Sequence, residues 1–260
     1  MNFEFFHDRR ELEGFLRRNT YLNIYAIGDL DDFFWPRTCW FGHRSRGEID
    51  SVALLYTGME LPTLIVMSED ISPERELLAS ITHLLPNPVY CHFSPGIETV
   101  LEKSHELEAH GEFRRMALLD SKALLKADCR NVVQLNMSDR EELLDFYRTS
   151  YPENWFDPRM LETGQYFCIR QNGNIVSAGG IHVYSPEYRV GTLGNIATHT
   201  LYRGMGFGSA VTAMVCRSMM GTVDHIGLNV RADNPAAVSC YEKLGFRSVA
   251  SFGEFMARHR

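Results

Sequence analysis

The chain has 260 residues, a formal net charge of −7 at pH 7 and a pI near 5.8. This length exceeds that of a typical single domain, and a hydrophobic fraction of 45% suffices for one large core or two smaller ones. The acidic balance excludes an overall basic field for nucleic acid or an anionic membrane, and no apolar run is long enough to span a bilayer.

The first residues resemble neither a signal peptide nor a transit peptide, so we expect a cytosolic protein. Its six cysteines include no Cys-x-x-Cys pair, and its ten histidines show no paired ligand spacing. We therefore expect reduced thiols, most of them buried, with no disulfide framework and no metal site. A single histidine in an apolar run, such as His182, is typical of a sheet residue whose polar atoms are satisfied.

An internal repeat with an offset of 131 residues divides the chain. The segments Asp8–Arg17 and Asp139–Arg148 agree at six of ten positions, and a later Phe-Arg pair recurs at a similar offset. Any capped helix that begins Asp-x-x-Glu shares part of this pattern, but the additional match favours a tandem duplication. We predict one domain at residues 1–125 and a second at 130–260, with a polar linker at about 118–131.

The sequence of the first half predicts a fold that lacks an anion-binding site. A hairpin-like connection at 42–50 joins two apolar runs, and a further apolar run at 61–67 precedes a helix-like stretch at 72–86. That stretch begins Ser-Pro-Glu-Arg-Glu-Leu and has no glycine near its start. The proline removes an N–H donor and the two glutamates add negative charge. We therefore interpret this half as a degenerate copy that keeps the fold but not the cofactor loop.

The second half alternates between strands and helices, and its Asn172-Gly173 pair is a strong hairpin signal. The patterns predict a strand at 132–135, helices at 140–149 and 159–162, strands at 165–171, 174–184 and 190–198, a helix at 209–218, a strand at 226–231, a helix at 236–244 and a final pair of strands at 246–256.

The stretch Arg203–Gly208 lies between a predicted strand and a predicted helix. Its three glycines let the backbone N–H groups point in one direction. They form a nest that is backed by the positive end of a helix dipole. This arrangement suits an anion, above all a pyrophosphate. The same glycines would also serve a tight turn, and the spacing fits neither the Walker pattern nor the dinucleotide fingerprint.

A second motif follows at Asn234–Phe246, which reads Asn-x-x-Ala-x-x-x-Tyr-x-x-x-Gly-Phe. With the Arg-x-x-Gly-x-Gly motif at 203–208, it resembles the GCN5-related N-acetyltransferases (GNAT), in which both motifs occur in this order. The resemblance covers residues of about 130–260 well and the first half weakly. It implies an α/β fold, with a mixed sheet in three α-β-α layers, here in two tandem copies.

The resemblance also implies a site for acetyl-CoA. The sheet opens beside the fourth strand of such a domain, and the pantetheine arm pairs there with the backbone of Ile196, Ala197 and Thr198. A backbone N–H near Ile196 or Ala197 would polarise the thioester carbonyl. Asn234 would cap a helix and contact the cofactor. The residues expected to hold the pyrophosphate are Arg203, Gly204, Met205, Gly206, Phe207, Gly208 and Ser209.

Tyr241 is the expected general acid, which would protonate the departing thiolate; packing of the helix onto the sheet is the alternative role. Many relatives place a basic carboxylate on the fourth strand, where this chain has Thr192, Gly194 and Asn195. The general base therefore remains open between a water-mediated route and a set of side chains comprising Glu153, Asp157, Glu162, His182 and Glu187.

Together these features predict an acyl-CoA-dependent N-acyltransferase that moves an acetyl group from acetyl-CoA to a primary amine. Glycine N-acyltransferases and tandem bacterial acetyltransferases share the two-copy arrangement, which favours a small molecule or amino acid as acceptor. The alternative is a non-catalytic acyl-CoA-binding sensor or assembly module in which Tyr241 only packs. We expect no nucleic acid, membrane or metal partner, and either a monomer or a homodimer.

Overall fold

The structure is a computed structural model that describes residues 3–260. Its α-helices are α1 (Arg9–Leu16), α2 (Ile24–Gly28), α3 (Ile71–Ile81), α4 (Lys122–Lys126), α5 (Arg140–Ser150), α6 (Phe207–Met219) and α7 (Pro235–Lys243). Its strands are β1 (Glu4–Phe5), β2 (Thr38–Ser45), β3 (Glu48–Tyr56), β4 (Thr63–Val66), β5 (Val89–Phe93), β6 (His105–Leu118), β7 (Val132–Gln134), β8 (Phe167–Gln171), β9 (Asn174–Ser185), β10 (Val190–Thr198), β11 (His225–Arg231) and β12 (Phe246–His259).

The chain forms two compact units. Unit 1 contains the chain up to Arg115 together with Val230–Asp233 and Ser248–Arg260, and unit 2 contains Met116–Asn229 and Asn234–Arg247. The final strand therefore begins in unit 2 and ends in unit 1, which a division into two continuous halves did not anticipate.

The predicted pair of strands at the end of the chain is wrong, since β12 is a single strand. Its ladder with β5 runs without interruption from Gly253 to Ala257. The predicted linker also contains structure: Leu124 of α4 is fully buried, and Arg217 of α6 donates to the carbonyls of Leu124 and Ala127 at 2.8 and 2.7 Å. A polar composition concealed this short helix, because its few apolar residues are enough to fix it against α6.

Both units repeat one order of strands. In unit 1, β1 to β4 pair successively in antiparallel fashion, and β4 pairs with β5 in parallel. In unit 2, β7 to β10 are successively antiparallel, and β10 pairs with β11 in parallel. α3 connects the parallel pair in unit 1 and α6 does so in unit 2. This repetition confirms the predicted two-copy mixed α/β fold.

The core of unit 1 lies between α3 and its sheet, where Leu77 and Ile81 pack among residues such as Leu64 and Phe93. In unit 2, α5 and α6 both pack against β9 and β10, so the sheet lies between helices as in a three-layer arrangement. Apolar residues at helical spacing supply one face of each helix, and buried strand residues supply the other side of the contact.

An arginine ion pair occurs at the same place in both units. Arg44 on β2 binds Glu11 on α1, with one contact of 2.7 Å, and Arg170 on β8 binds Glu142 on α5. The two glutamates are 131 residues apart, the offset of the sequence repeat. This bridge ties α1 to β2 in unit 1 and α5 to β8 in unit 2.

The hairpin turns repeat as well. Asn172 and Gly173 have φ values of 51° and 86°, and Arg46 and Gly47 have φ values of 54° and 88°. Two successive left-handed residues characterise the turn that matches the twist of a hairpin. The hairpin predicted at Asn172-Gly173 is therefore confirmed.

The parallel strands of unit 1 and the helix that connects them differ from their counterparts in unit 2. β4 stays paired with β5 up to its last residue, Val66, which pairs with Phe93, whereas β10 continues beyond its last pair with β11. At the start of α3, the Asp70 side chain accepts from Ser72 N–H at 3.1 Å. Glu74 is buried in the first turn, and its desolvation raises the pKa of this carboxyl to about 7. Acidic side chains thus take up the helix start, as the sequence predicted for this half.

All six cysteines are free thiols, and four of them are buried. Within residues 3–260, no group of three or more His, Cys, Asp or Glu side chains is arranged to hold a metal ion. No helix in that range combines the length and the apolarity that crossing a bilayer requires.

We expect Arg170→Met to lower the free energy of unfolding by about 1 kcal/mol, because Glu142 and Asp139 lose their shared cation. Urea unfolding at pH 7 would measure the change. Arg130→Met is the control, since the Arg130–Asp128 pair is far more exposed and should contribute nothing measurable. Equal losses in the two variants would contradict a structural role for the repeated bridge.

Candidate functional site

Strands β10 and β11 pair only along their first halves. Their parallel ladder ends at the pair Leu193↔Leu228, although β10 continues to Thr198 and β11 to Arg231. The strands of unit 2 therefore separate at this point, which we call the fork. An opening beside this strand is what the resemblance predicted.

Beyond the fork, the backbone groups of β10 point alternately toward β9 and into the opening. Ala197 pairs with β9, and His199 N–H donates to a β9 carbonyl at 2.9 Å. Successive residues of a strand direct their N–H and C=O groups to opposite sides. Ile196 and Thr198 therefore direct theirs away from β9, whereas the backbone groups of Ala197 are used within the sheet.

Asn195 holds the irregular segment of β10 in place. It is buried, has a φ of +56°, and lies where the register with β9 shifts. Its backbone carbonyl accepts from the Tyr147 hydroxyl at 2.8 Å, its side-chain oxygen accepts from Trp155 N–H at 3.0 Å, and its Nδ2 donates to the Tyr166 oxygen at 3.0 Å. One residue thus connects β10 to α5, to the loop after α5 and to Tyr166, which directly precedes β8.

Burial raises the pKa of the Tyr147 and Tyr166 phenols, and the hydrogen bond from Asn195 partly opposes this effect at Tyr166. Both phenols therefore remain protonated hydrogen-bond donors. The sequence did not predict this network. Its only signal was an asparagine within a strand pattern, because asparagine is a poor strand residue but tolerates left-handed backbone.

Two glycines shape the loop between β10 and α6. Gly204 and Gly206 have φ values of 80° and 81°, and nothing lies within 4 Å of where their Cβ atoms would be. Their backbone conformation, rather than crowding, is what favours glycine. The loop is exposed around both residues.

The start of α6 presents unused donors. Its first intrahelical hydrogen bond runs from Ala210 N–H to Gly206 O at 3.0 Å, so the N–H groups of residues 207–209 have no acceptor within the helix. No acidic residue lies in its first turn, and Arg203 is exposed just before it. This end of the helix is therefore suited to an anion, in contrast to the acidic start of α3.

Contacts bring the loop, the end of β10 and α7 together. Arg203 Nε donates to Thr198 O at 3.2 Å, and a Cβ on Gly208 would lie 3.3 Å from Thr198 Oγ1. Ser209 Oγ lies 3.0 Å from Cys240 Sγ on α7. Ser209 of the predicted loop is thus adjacent to the helix that carries the tyrosine motif, and Arg203 and Gly208 lie beside the end of β10.

Tyr241 and Asn234 lie at opposite ends of α7. Tyr241 follows Cys240, is 9% exposed, and its ring meets Phe246 edge-on at 6.0 Å between centroids. The Asn234 side chain accepts from Ala237 N–H at 3.1 Å, which confirms the predicted cap. At about 1.5 Å per residue, Asn234 is about 9 Å from Cys240 along the helix. The structure therefore places Cys240, the sequence neighbour of Tyr241, against the start of α6, whereas Asn234 lies at the other end of α7.

The candidate bases are scattered. The Asp157 side chain caps the short helix at 158–163 and pairs with Arg159. His182 is on β9 and lies against Gly194 of β10. The remaining three are exposed on the surface: Glu153, Glu162 and Glu187.

Taken together, the fork, the donor-rich loop and a neighbouring phenol can hold an elongated ligand with an anionic middle. The anion would lie at the start of α6, and an extended polar arm would take hydrogen bonds from the free edge of β10. The helix α7, which carries Tyr241, contacts the start of α6 through Cys240.

We expect Asn195→Ala to lower the free energy of unfolding by about 3 kcal/mol, because it leaves buried donors and acceptors unpaired at a left-handed position. Asn172→Ala is a matched control. Asn172 has a similar φ of 51° but is exposed, so only the backbone cost of about 1 kcal/mol should remain. Chemical denaturation measures both variants, and indistinguishable losses would argue against the network.

The comparisons with known proteins agree with this geometry. Residues 131–246 match the family model "Acetyltransferase (GNAT) family". A mycothiol acetyltransferase from Streptomyces coelicolor is 33% identical over 95 residues, which is 36% of this chain and 29% of that protein. The chain thus spans under a third of the length of this curated relative.

Solved structures share the fold. A GNAT-family acetyltransferase from Novosphingobium aromaticivorans has a TM-score of 0.61 at 17% identity, covering 80% of this chain and 88% of its own. A tandem GNAT protein from the clavulanic acid biosynthesis pathway has a TM-score of 0.59 at 14% identity, covering 99% and 98%. The chain therefore carries a domain of the acetyltransferase (GNAT) family at residues 131–246.

Proposed function

We propose that the protein is an acyl-CoA-dependent N-acyltransferase, which transfers an acetyl group from acetyl-CoA to a primary amine of a small molecule. The observation that carries this proposal is the fork, because it leaves the edge of β10 without a strand partner directly before a donor-rich helix start. The two features lie in the order that a pantetheine arm and its pyrophosphate would need.

The chain's own groups fit this substrate. The N–H groups of residues 207–209 and the exposed Arg203 would bind the pyrophosphate. The backbone groups of Ile196 and Thr198 would bind the pantetheine amides, and the Ile196 N–H would donate to the thioester carbonyl. Gly204, Met205 and Gly206 form the turn that aims these donors, and Ala197 keeps the strand attached to β9.

Transfer requires no covalent enzyme intermediate. Acetyl-CoA supplies an activated acyl group, and the amine nitrogen attacks its carbonyl carbon while the carbon–sulfur bond breaks. The protein contributes orientation of the two reactants and hydrogen bonds to the developing oxyanion. Tyr241 would donate its proton to the departing thiolate, a role that suits a phenol held on α7 beside the loop. Asn234 would act mainly by capping α7.

A small acceptor is favoured by the named relatives. One matching protein is a mycothiol acetyltransferase, and one similar structure, with a TM-score of 0.51, is a glucosamine N-acetyltransferase region. Unit 2 is the proposed catalytic part, and unit 1 is the proposed degenerate copy, because the start of α3 is occupied by acidic side chains. We further propose that the protein acts in the cytosol, as a monomer or homodimer.

A non-catalytic acyl-CoA-binding module is the second candidate. It is favoured by Gly194, which supplies no side chain where many members of the family place a carboxylate. In that case the loop would bind the cofactor, and Tyr241 would serve only as packing against Phe246.

We expect Gly206→Glu to weaken acetyl-CoA binding at least about ten-fold, because it places a negative charge and a strained residue in the pyrophosphate site. Isothermal titration calorimetry with acetyl-CoA measures the change. Gly221→Glu is the matched control, since Gly221 follows α6, has a φ of 98° and also has open space around its Cβ position. Absence of binding to the unmodified protein would refute both candidate functions.

We expect Tyr241→Phe to lower kcat about 100-fold with little change in acetyl-CoA affinity, because the ring that packs on Phe246 remains while the proton donor is lost. Thiol release from acetyl-CoA measures turnover, and calorimetry measures affinity. Unchanged turnover would leave Tyr241 as a packing residue. No turnover in either protein, with binding retained, would favour the non-catalytic module.

A further inference from the structure

His182 occupies a special position in β9. Its neighbours Ile181 and Val183 pair with Leu193 and Thr192, which are adjacent residues of β10. His182 is therefore the extra residue of a β-bulge in β9. Bulges redirect a side chain locally and are frequent beside active sites.

The imidazole of His182 takes the place of a β10 side chain. A Cβ on Gly194 would lie 2.2 Å from His182 Cδ2 and 2.6 Å from Nε2, so only glycine allows the ring to be there. Gly194 is also the first residue of β10 beyond the last pair with β11. The histidine ring thus lies at the apex of the fork.

The direction of the donor's arm places the thioester near that apex. The anion-binding end of the site is at residues 206–209, after the carboxyl end of β10. An arm that pairs with Thr198 and then with Ile196 therefore runs back toward Gly194. Its acyl end approaches the closed end of the fork, where the imidazole is.

The exposure and the protonation state of His182 also bear on its role. The residue as a whole is partly exposed. Desolvation lowers the pKa of its imidazole to about 4, so the ring is neutral at pH 7. Among the five candidate bases, Asp157 is committed to its cap and to Arg159, and the three exposed glutamates are on loops or on the short helix at 158–163.

We propose that His182 is the general base of the transferase. The base then lies on the third strand of the domain, β9, and not on the fourth, β10, where Gly194 leaves room for the imidazole ring. As the amine nitrogen bonds to the acyl carbon, its proton moves to a ring nitrogen of His182. The carbon–sulfur bond breaks, and the thiolate takes its proton from Tyr241. The imidazolium then releases its proton to water, and the Tyr241 phenolate takes a proton back from water, which restores both groups. This inference rests on the proposed transferase function.

The first test needs no acceptor. In ¹H–¹⁵N spectra of the histidine rings, the His182 signals are assigned as those missing from His182→Gln. We expect these signals to shift when acetyl-CoA binds and to stay unchanged with adenosine 3′,5′-bisphosphate, which lacks the pantetheine arm. Acetyl-CoA binding without a shift would overturn the inference and leave the donor site intact. If acetyl-CoA does not bind at all, the proposed function fails and this inference fails with it.

The second test measures turnover of acetyl-CoA with glycine, D-glucosamine, L-cysteine and hydroxylamine as acceptors. For each acceptor that reacts, we expect His182→Gln to lower kcat about 100-fold with acetyl-CoA affinity within about two-fold.

Added imidazole should restore part of the activity of His182→Ala, which a purely structural role would not allow. His225→Gln is the matched control. His225 pairs with Val190 at the start of the β10–β11 ladder, at the opposite end from the fork, so this variant should leave turnover unchanged. Equal kcat values for His182→Gln and the unmodified protein would overturn the inference, as would a loss in His182→Ala that imidazole does not restore.

Discussion

The separation of β10 and β11 beyond Leu193 and Leu228 is the constraint on which the site depends. A parallel pair normally satisfies the backbone groups of both strands, so ending the ladder early leaves donors and acceptors exposed on β10. Asn195 stabilises this arrangement, because its left-handed backbone lies where the register shifts and its hydrogen bonds fix the segment to α5, to the following loop and to Tyr166 just before β8. The cost of an irregular strand is offset locally by a buried polar network whose groups are paired.

The two units illustrate how one fold keeps or loses a site. Both repeat the strand order, the arginine bridge between a helix and the second strand, and the left-handed hairpin turn. They differ where an anion would bind, since the start of α3 carries Asp70 and the buried Glu74, whereas the start of α6 follows two left-handed glycines and has no acid in its first turn. The fold depends on packing and pairing, while the site depends on a few residues at one helix start and one strand end.

The chemistry proposed for unit 2 is distributed over four elements. β10 supplies backbone donors, α6 an anion site, α7 a phenol and β9 an imidazole. The contact between Ser209 and Cys240 connects two of these elements, and the close packing of His182 on Gly194 connects the other two. A glycine in place of a carboxylate thus need not mean loss of a base, because the space it leaves is filled by a titratable ring from the neighbouring strand.

The sequence by itself determined the repeat, the two motifs, the hairpin at Asn172-Gly173 and most strands and helices of unit 2, because local periodicity, caps and left-handed glycines have direct signatures in residue order. It did not determine that β12 is one strand that ends in unit 1, since strand partners are chosen by the whole sheet. Nor did it reveal the network of Asn195 or the position of His182. Both depend on a shift of register between neighbouring strands, and such a shift is decided only when the strands pack together in the tertiary structure.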